Sequence, residues 1–357
     1  MRRPASRPAD RAVATRHEAI PTPAASGTVA TLATPATPVK ALALEPVRGY
    51  RKAEHGPRGD VGRSTGERSG MAISVEMIKA GLKELGLATG DVVLVHSDLR
   101  RLGKPRELVK LSHCGADAVI DAFVETVGPE GVVIVPTLTR TTVKGGEEAP
   151  SGLVFDPAQT PSCVGSITNV MRLRPDSARS THPTHSIVAI GGRAKEMCRV
   201  DPDMSTFDRR GPWGRMYDWD GSICWFGTLN KTNTTVHVVE DWMDLPYMET
   251  CCAWVRGPDG RAFKQKILKA PLGPRDFYRV TSKSSRLLDE SGIIVSTLIG
   301  QAKVSLMKVR DVHRVIREGI IRDPCLLLKE PEADEWSRKA CEAAIPYVRE
   351  KFGRPEA

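Results

Sequence analysis

The chain has 357 residues, 40% hydrophobic, 27% charged and 5% aromatic, with a formal charge of +9. That is enough chain for a sizeable core, yet no apolar run reaches the roughly 18 residues a membrane helix needs. Residues 1–70 hold 12 Lys and Arg against 6 Asp and Glu, while the other 287 hold 40 against 37, so the body carries no basic stripe for nucleic acid and too few aromatics for base stacking.

Residues 1–70 are rich in Pro, Ala, Thr, Arg and Gly and show no sustained period. Such a segment buries too little apolar area to offset its ordering entropy, so a disordered tail is expected there. Its Arg-rich, acid-poor opening has the look of an organelle transit peptide. The same look arises when a start is placed too early, and Met71, just ahead of the first periodic segment, favours that second reading. Residues 71–357 are then expected to form the functional domain.

Ser74 is an N-cap candidate for an amphipathic helix running through Leu85. Residues 91–96 read as a buried strand, followed by a polar loop over 97–113. Ala118, Val119, Ala122, Phe123 and Thr126 fall at helical spacing within 115–127, and Gly128-Pro129-Glu130-Gly131 stops that helix. Residues 132–136 form a second buried strand, 164–173 a helix, and 186–190 and 222–226 two further strands. Past Met248 the segments 251–255 and 261–268 flank Gly257-Pro258-Asp259-Gly260, a hairpin signature with Asp-Gly in the turn. A helix over 275–290, a strand over 304–309, a helix over 312–320 and an amphipathic helix over 334–351 complete the chain. Strands alternating with helices predict an α/β domain on a parallel or mixed sheet.

The eight cysteines include no CxxC pair and no regular spacing, which leaves zinc ribbons and thioredoxin-like motifs unsupported. No basic n-region with an apolar h-region opens the chain, so the expectation is a cytoplasmic protein with reduced thiols. Asn230-Lys231-Thr232 and Asn233-Thr234-Thr235 match glycosylation acceptors, which a cytoplasmic protein leaves bare.

His237 and Glu240 stand three residues apart at the start of a helix, a spacing that projects both from one face. A carboxylate beside an imidazole fixes its tautomer and favours its protonated form, which suits a general base. The plain alternative is a satisfied helix histidine beside a surface glutamate. His182 and His185 invite a zinc reading, but no third ligand lies at a characteristic spacing, so no metal is expected.

Three stretches carry a resemblance when taken in order. They are Val95-His96-Ser97-Asp98-Leu99-Arg100-Arg101-Leu102-Gly103, then Arg179-Ser180-Thr181-His182-Pro183-Thr184-His185-Ser186, then Asn233-Thr234-Thr235-Val236-His237-Val238-Val239-Glu240. With Gly115-Ala116-Asp117 and Gly128-Pro129-Glu130-Gly131 between the first two, residues 75–350 resemble the aminoglycoside 3-N-acetyltransferase family. The resemblance implies an α/β/α sandwich around a central mixed or parallel sheet, distinct from the GNAT fold. It implies acetyl-CoA as donor, transfer to the 3-amino group of a 2-deoxystreptamine aminoglycoside, and a part in antibiotic resistance. It also implies that His237 is the base, polarised by Glu240.

Coenzyme contacts are implied for Ser97, Asp98, Leu99, Arg100, Arg101 and Leu102, where backbone amides after a strand suit a pyrophosphate and an arginine suits a phosphate. They are implied also for Thr137, Ser180, His182 and Ser186, whose hydroxyls and neighbouring amides would hold the thioester carbonyl or the pantetheine arm. The structural alternative at His182-Pro183 is a proline-fixed turn that His182 caps. Asp208, Asp241 and Asp276 are the implied acceptor-binding carboxylates.

The sequence also departs from the family pattern. The acidic cluster some thirty residues beyond the histidine is missing, with Asp276 the nearest candidate, and Arg209 and Arg210 are unusual beside an acceptor site. Asp98 stands where a small hydroxyl is usual; an acid is unfavourable near phosphates, so it is expected to point away or to cap the loop. Cys114-Gly115 replaces a glycine pair. Two rival expectations therefore stand: a coenzyme A-dependent acyltransferase of the same fold acting on another amine, and a non-catalytic coenzyme A-binding relative.

Overall fold

The structure, a computed structural model, describes residues 73–102, 115–139, 154–269 and 282–353. The expected tail over 1–70, most of the loop over 97–113, and Asp276 with the front of the expected helix 275–290 lie outside the described residues.

The large sheet has seven strands: β1 (Val92–Ser97), β2 (Val132–Leu138), β4 (Ala178–Arg179), β5 (His185–Gly191), β6 (Ser222–Phe226), β9 (Val295–Ile299) and β10 (Ala302–Lys308). They run across the molecule in the order β4-β5-β2-β1-β6-β10-β9. β2, β1 and β6 are parallel at the centre, and antiparallel strands flank them on both sides. Central parallel strands are covered on both faces and so read as unbroken apolar runs. In β1, Val92 and Leu94 join one core while Val93 and Val95 join the other. In β6, Ile223 and Trp225 face the first core, and Cys224 and Phe226 the second.

The second core packs under α1 (Val75–Glu84), α2 (Ala116–Val127) and α3 (Ser166–Met171). The first lies under α4 (Ala194–Met197), α5 (Pro212–Asp218), α6 (Val236–Trp242), α7 (Lys283–Glu290), α8 (Val309–Arg322) and α9 (Glu335–Phe352). This is the three-layer α/β/α arrangement with a mixed sheet. Ser74 caps α1, its hydroxyl accepting from Met77 N at 3.2 Å. A smaller sheet holds the expected hairpin as β7 (Glu249–Arg256) and β8 (Ala262–Lys269), with β3 (Val154–Phe155) parallel to β7.

Several elements differ from the sequence reading. β9 escapes it because an edge strand needs no buried alternation, and here Val295 and Leu298 are 53% and 71% exposed. α5 also escapes it, since a seven-residue helix opened by Gly211-Pro212 offers too few turns for a period to emerge. The helix expected over 164–173 is shorter, at Ser166–Met171, because Gly165 holds φ +69 immediately before it. α8 is longer than expected: β10 passes directly into it at Lys308 with no intervening turn.

Candidate active site

Parallel sheets gather their ligands outside the carboxyl ends of the strands, and the functional residues collect there. The chain leaves β6 through Gly227, which holds φ +72. A Cβ at that position would stand 2.7 Å from Asp98 O, so the loop after β1 and the loop after β6 can meet only at a glycine. Asn233 then turns the chain into α6, its Oδ1 accepting from Thr235 N at 3.1 Å.

On α6 the two expected partners meet. His237 Nδ1 lies 2.7 Å from Glu240 Oε2, and Glu240 is 0% exposed. Its other oxygen, Oε1, accepts from Tyr247 Oη at 2.9 Å. Tyr247 reaches back because Asp244 adopts φ +53 and closes the helix, with Asp244 N donating to Asp241 O and Leu245 N to Glu240 O. That is a Schellman closure with an aspartate in the place usually held by glycine. The hydrogen bond to Glu240 selects the tautomer with its proton on Nδ1, which leaves Nε2 as the acceptor nitrogen of the ring.

The His237 ring lines a cavity of about 270 Å³, together with Ser97, His96, His185, Thr228 and Asn233. Phe207 stacks on it at 5.9 Å between centroids, and the His185 ring stands 6.3 Å away. Burial drives His96 down to about 4 and His185 well below the ordinary imidazole range, the latter helped by His237 and His182. Both rings are therefore neutral at pH 7. Asn233 is 1% exposed, and with Oδ1 held on Thr235 its Nδ2 has no partner among the described residues.

The remaining expected site residues divide. Asp98 caps the turn after β1, accepting from Arg100 N at 3.3 Å, as an acid unsuited to phosphate is expected to do. It also holds the Arg100 guanidinium at 2.8 and 2.9 Å, which keeps the Asp98 carboxyl below its usual range. Arg101 is exposed and Leu99 half-buried, while Leu102 is a core residue. The Leu102 side chain is thus turned into the core rather than onto the loop surface.

Thr137, Ser180 and Ser186 are likewise buried, all three 0% exposed. Thr137 and Ser186 join their hydroxyls at 2.8 Å across β2 and β5, and Ser180 Oγ accepts from Ile187 N at 2.9 Å. Their hydroxyls serve the sheet edge. His182 likewise takes the structural alternative. Its Nδ1 accepts from His185 N at 3.2 Å, and its Nε2 stands 3.2 Å from Lys266 O on β8. It is a turn cap that ties the large sheet to the small one, and burial lowers it to about 4.

Among the acids, Asp208 is held by Arg210, which also reaches Asp203. Arg209 lies over Trp242 at 4.4 Å and Tyr217 at 5.1 Å, and pairs with Asp218. Asp241 is half-buried, and burial, then Asp208 and Asp244, push it up to about 6. Asp276 lies outside the described residues.

Tyr247, Asn233 and His96 carry no functional signal of their own in the sequence. Tyr247 is seven residues past Glu240 but beyond the end of α6, so no helical spacing announces it. His96 and Asn233 sit inside motifs already noted, and only a buried nitrogen on each, unpaired among the described residues, marks them. Among the described residues no group of three or more His, Cys, Asp or Glu is arranged to hold a metal ion. No helix among them is long and apolar enough to cross a membrane.

A mixed sheet covered on both faces, with a histidine–carboxylate pair opening on a cavity at its carboxyl end, defines an antibiotic N-acetyltransferase type of acyltransferase. Residues 94–320 match the family model for aminoglycoside 3-N-acetyltransferase, and the chain belongs to that family. Aminoglycoside N(3)-acetyltransferase IV of Salmonella sp. is 25% identical over 270 residues, 75% of this chain and 94% of the relative. The YokD aminoglycoside N(3')-acetyltransferase-like protein of Bacillus subtilis (strain 168) is 28% identical over 189 residues, 49% of this chain and 66% of its own length. Among solved structures, the apoenzyme of AAC(3)-IVa superposes with a TM-score of 0.61 at 23% identity, covering 79% of this chain and 100% of that one. AAC-IIIb in its binary complex with CoASH gives 0.60 at 22%, covering 70% and 97%. AAC-VIa bound to sisomicin gives 0.59 at 21%, covering 70% and 98%. At these identities the structural likeness is one of fold.

Proposed function

We propose that the protein transfers the acetyl group of acetyl-coenzyme A to the 3-amino group of a 2-deoxystreptamine aminoglycoside, with His237 as general base. The observation that carries this reading is the 2.7 Å contact between His237 Nδ1 and a fully buried Glu240, on a ring that lines the cavity at the carboxyl end of the sheet. An ammonium near neutral pH must lose a proton before it attacks a carbonyl. The ammonium gives up one proton to solvent, and His237 Nε2 accepts the second as the free amine nitrogen bonds to the thioester carbon. Glu240 stabilises the imidazolium that forms, and Tyr247 holds the carboxylate in place. Collapse of the tetrahedral intermediate breaks the carbon–sulfur bond, and the departing thiolate takes the proton back from the imidazolium.

The developing oxyanion needs donors fixed in advance. Asn233 Nδ2, buried and without an acceptor among the described residues, and the Ser97 hydroxyl both belong to this cavity and fit that need. A polar group entering there relieves a buried amide that the protein alone leaves unsatisfied, which supports binding of a carbonyl-bearing donor such as the acyl thioester. Arg101, exposed beside the Asp98 turn, suits a coenzyme phosphate, whereas Arg100 must first leave Asp98. Two relatives' structures support the substrate classes: one was solved with CoASH and another with sisomicin.

Acetyl-CoA turnover against a panel of deoxystreptamine antibiotics, with the product mapped by NMR, tests the reading. Thiol release with acetylation at the 3-amino position is expected. Turnover confined to amines outside the deoxystreptamine class sinks it and selects the rival acyltransferase. One observation favours that rival: Arg210 pairs with Asp208, so an acid expected to meet a polycation is already neutralised.

A further inference from the structure

Cross-strand register lines up a second set of polar groups that leads away from His237. His96 on β1 stands opposite Trp225 on β6, Trp225 opposite Ser305 on β10, and Ser305 opposite Ser296 on β9. Residues opposite one another in neighbouring strands project from the same face, so these four form one row across half the sheet. Its surroundings are apolar, with Leu94, Ile223 and Met307 in the core of that face. His96 is 7% exposed and Trp225 1%, and neither His96 Nε2 nor Trp225 Nε1 has a hydrogen-bond partner among the described residues. Native cores leave few buried polar groups in that condition, and each such case calls for an explanation.

The cavities supply one. At its His96 end the row opens on the cavity that His237 lines, and at its other end Trp225, Ser305 and Ser296 line a second cavity of about 290 Å³. Thr228 lines both. The second cavity also holds Asp289, on the exposed side of α7, whose Oδ1 accepts from Asn230 Nδ2 at 3.2 Å.

We propose that this second cavity is a subsite for a further hydroxylated, amine-bearing sugar ring of the acceptor, joined to the ring that is acetylated at His237. The inference rests on the reaction proposed above. The Thr228 hydroxyl and the Ser296–Ser305 hydroxyl pair, 2.8 Å apart, match ring hydroxyls, the buried Trp225 N–H lies behind them unpaired among the described residues, and the Asp289 carboxylate matches an ammonium. Cavities for drug-sized ligands span about 300–1,000 Å³, so each cavity here has the scale of a ring rather than of a whole ligand. The charge in it points to the acceptor and away from the coenzyme: Lys303 is offset by Asp289 and leaves no net positive field for phosphates.

The test compares KM for sisomicin, a deoxystreptamine carrying two further sugars, with KM for 2-deoxystreptamine itself. Asp289→Asn keeps the size and an oxygen for Asn230, and Trp225→Phe removes the indole N–H. Asp289→Asn is expected to raise the sisomicin-to-deoxystreptamine KM ratio about tenfold, the worth of one hydrogen bond to an ionised group. Coenzyme A affinity by calorimetry is expected to stay unchanged. Trp225→Phe is expected to shift the ratio in the same direction; because that side chain is buried, a misfolded product leaves Asp289→Asn to decide the question. An unmoved ratio, or a loss in coenzyme affinity instead, overturns the subsite. If the wild-type protein turns over neither amine, the proposed reaction fails. Calorimetric sisomicin binding then decides the subsite by itself: weakening in Asp289→Asn supports it, and unchanged or undetectable binding overturns it.

Discussion

Glu240→Gln isolates the role of charge at the site, because glutamine keeps the shape and the hydrogen-bonding reach of glutamate. Glu240 is 0% exposed and holds two donors, His237 Nδ1 at 2.7 Å and Tyr247 Oη at 2.9 Å. The glutamine can turn its oxygen to the imidazole and its amide to the tyrosine oxygen, so the tautomer survives and the imidazolium loses its counter-charge. A hydrogen bond to a charged partner contributes about 1.5–3 kcal/mol, which corresponds to a fall in plateau kcat of about 10- to 100-fold. The pH profile moves as well. A nearby carboxylate favours the protonated ring, so without it the ring loses its proton at lower pH. The acid limb of kcat/KM then shifts to lower pH in the variant. The assay is thiol release from acetyl-CoA at saturating acceptor, measured across pH 5–9. An unmoved limb together with an unchanged plateau would refute the coupling of the two residues.

His237→Ala should lower kcat by about 10²-fold or more while calorimetry still detects coenzyme A; near-normal turnover removes the base. Tyr247→Phe deletes the donor on Glu240 Oε1 and leaves the cap and helix closure in place, so kcat should fall by less than in Glu240→Gln, by about tenfold. Full activity in that variant makes the tyrosine structural only. Gly227→Ala combines a left-handed φ with a Cβ 2.7 Å from Asp98 O. It should destabilise the fold by about 2 kcal/mol or more, read as a lower midpoint in urea. Asp241 is raised from 3.8 to about 6 in the folded protein. The folded state therefore binds the proton more tightly, and stability falls as pH rises through that window. Asp241→Asn should melt above the wild type past pH 6 and with it below about pH 4, and coincident curves throughout deny the shift.

Much of the architecture was legible because central strands buried on both faces write themselves as apolar runs, as residues 92–95 and 132–135 do. The hairpin was legible from Asp259-Gly260 alone. The histidine–carboxylate pair could be read from a three-residue spacing, because a helix turns that spacing directly into proximity. Proximity made by tertiary packing leaves no such mark. Tyr247 returns to Glu240 through a left-handed aspartate, and His96 meets Trp225 only through strand register. The serines and threonine at 137, 180 and 186 illustrate the converse. A motif names residues that belong together without saying whether they face a ligand or one another, and here Thr137 and Ser186 join across β2 and β5 while Ser180 accepts from the Ile187 amide of β5.

The bond from His182 to Lys266 O gives the small sheet a consequence beyond its own stability. The same imidazole that anchors β8 also fixes, through its other nitrogen, the amide of His185, whose ring borders the reaction cavity. A hairpin that swings outward strands a buried ring with one side unanswered and loosens the corner beside His237. One buried ring thus serves two places at once, the strand of the small sheet and the turn that sets the His185 ring beside the cavity.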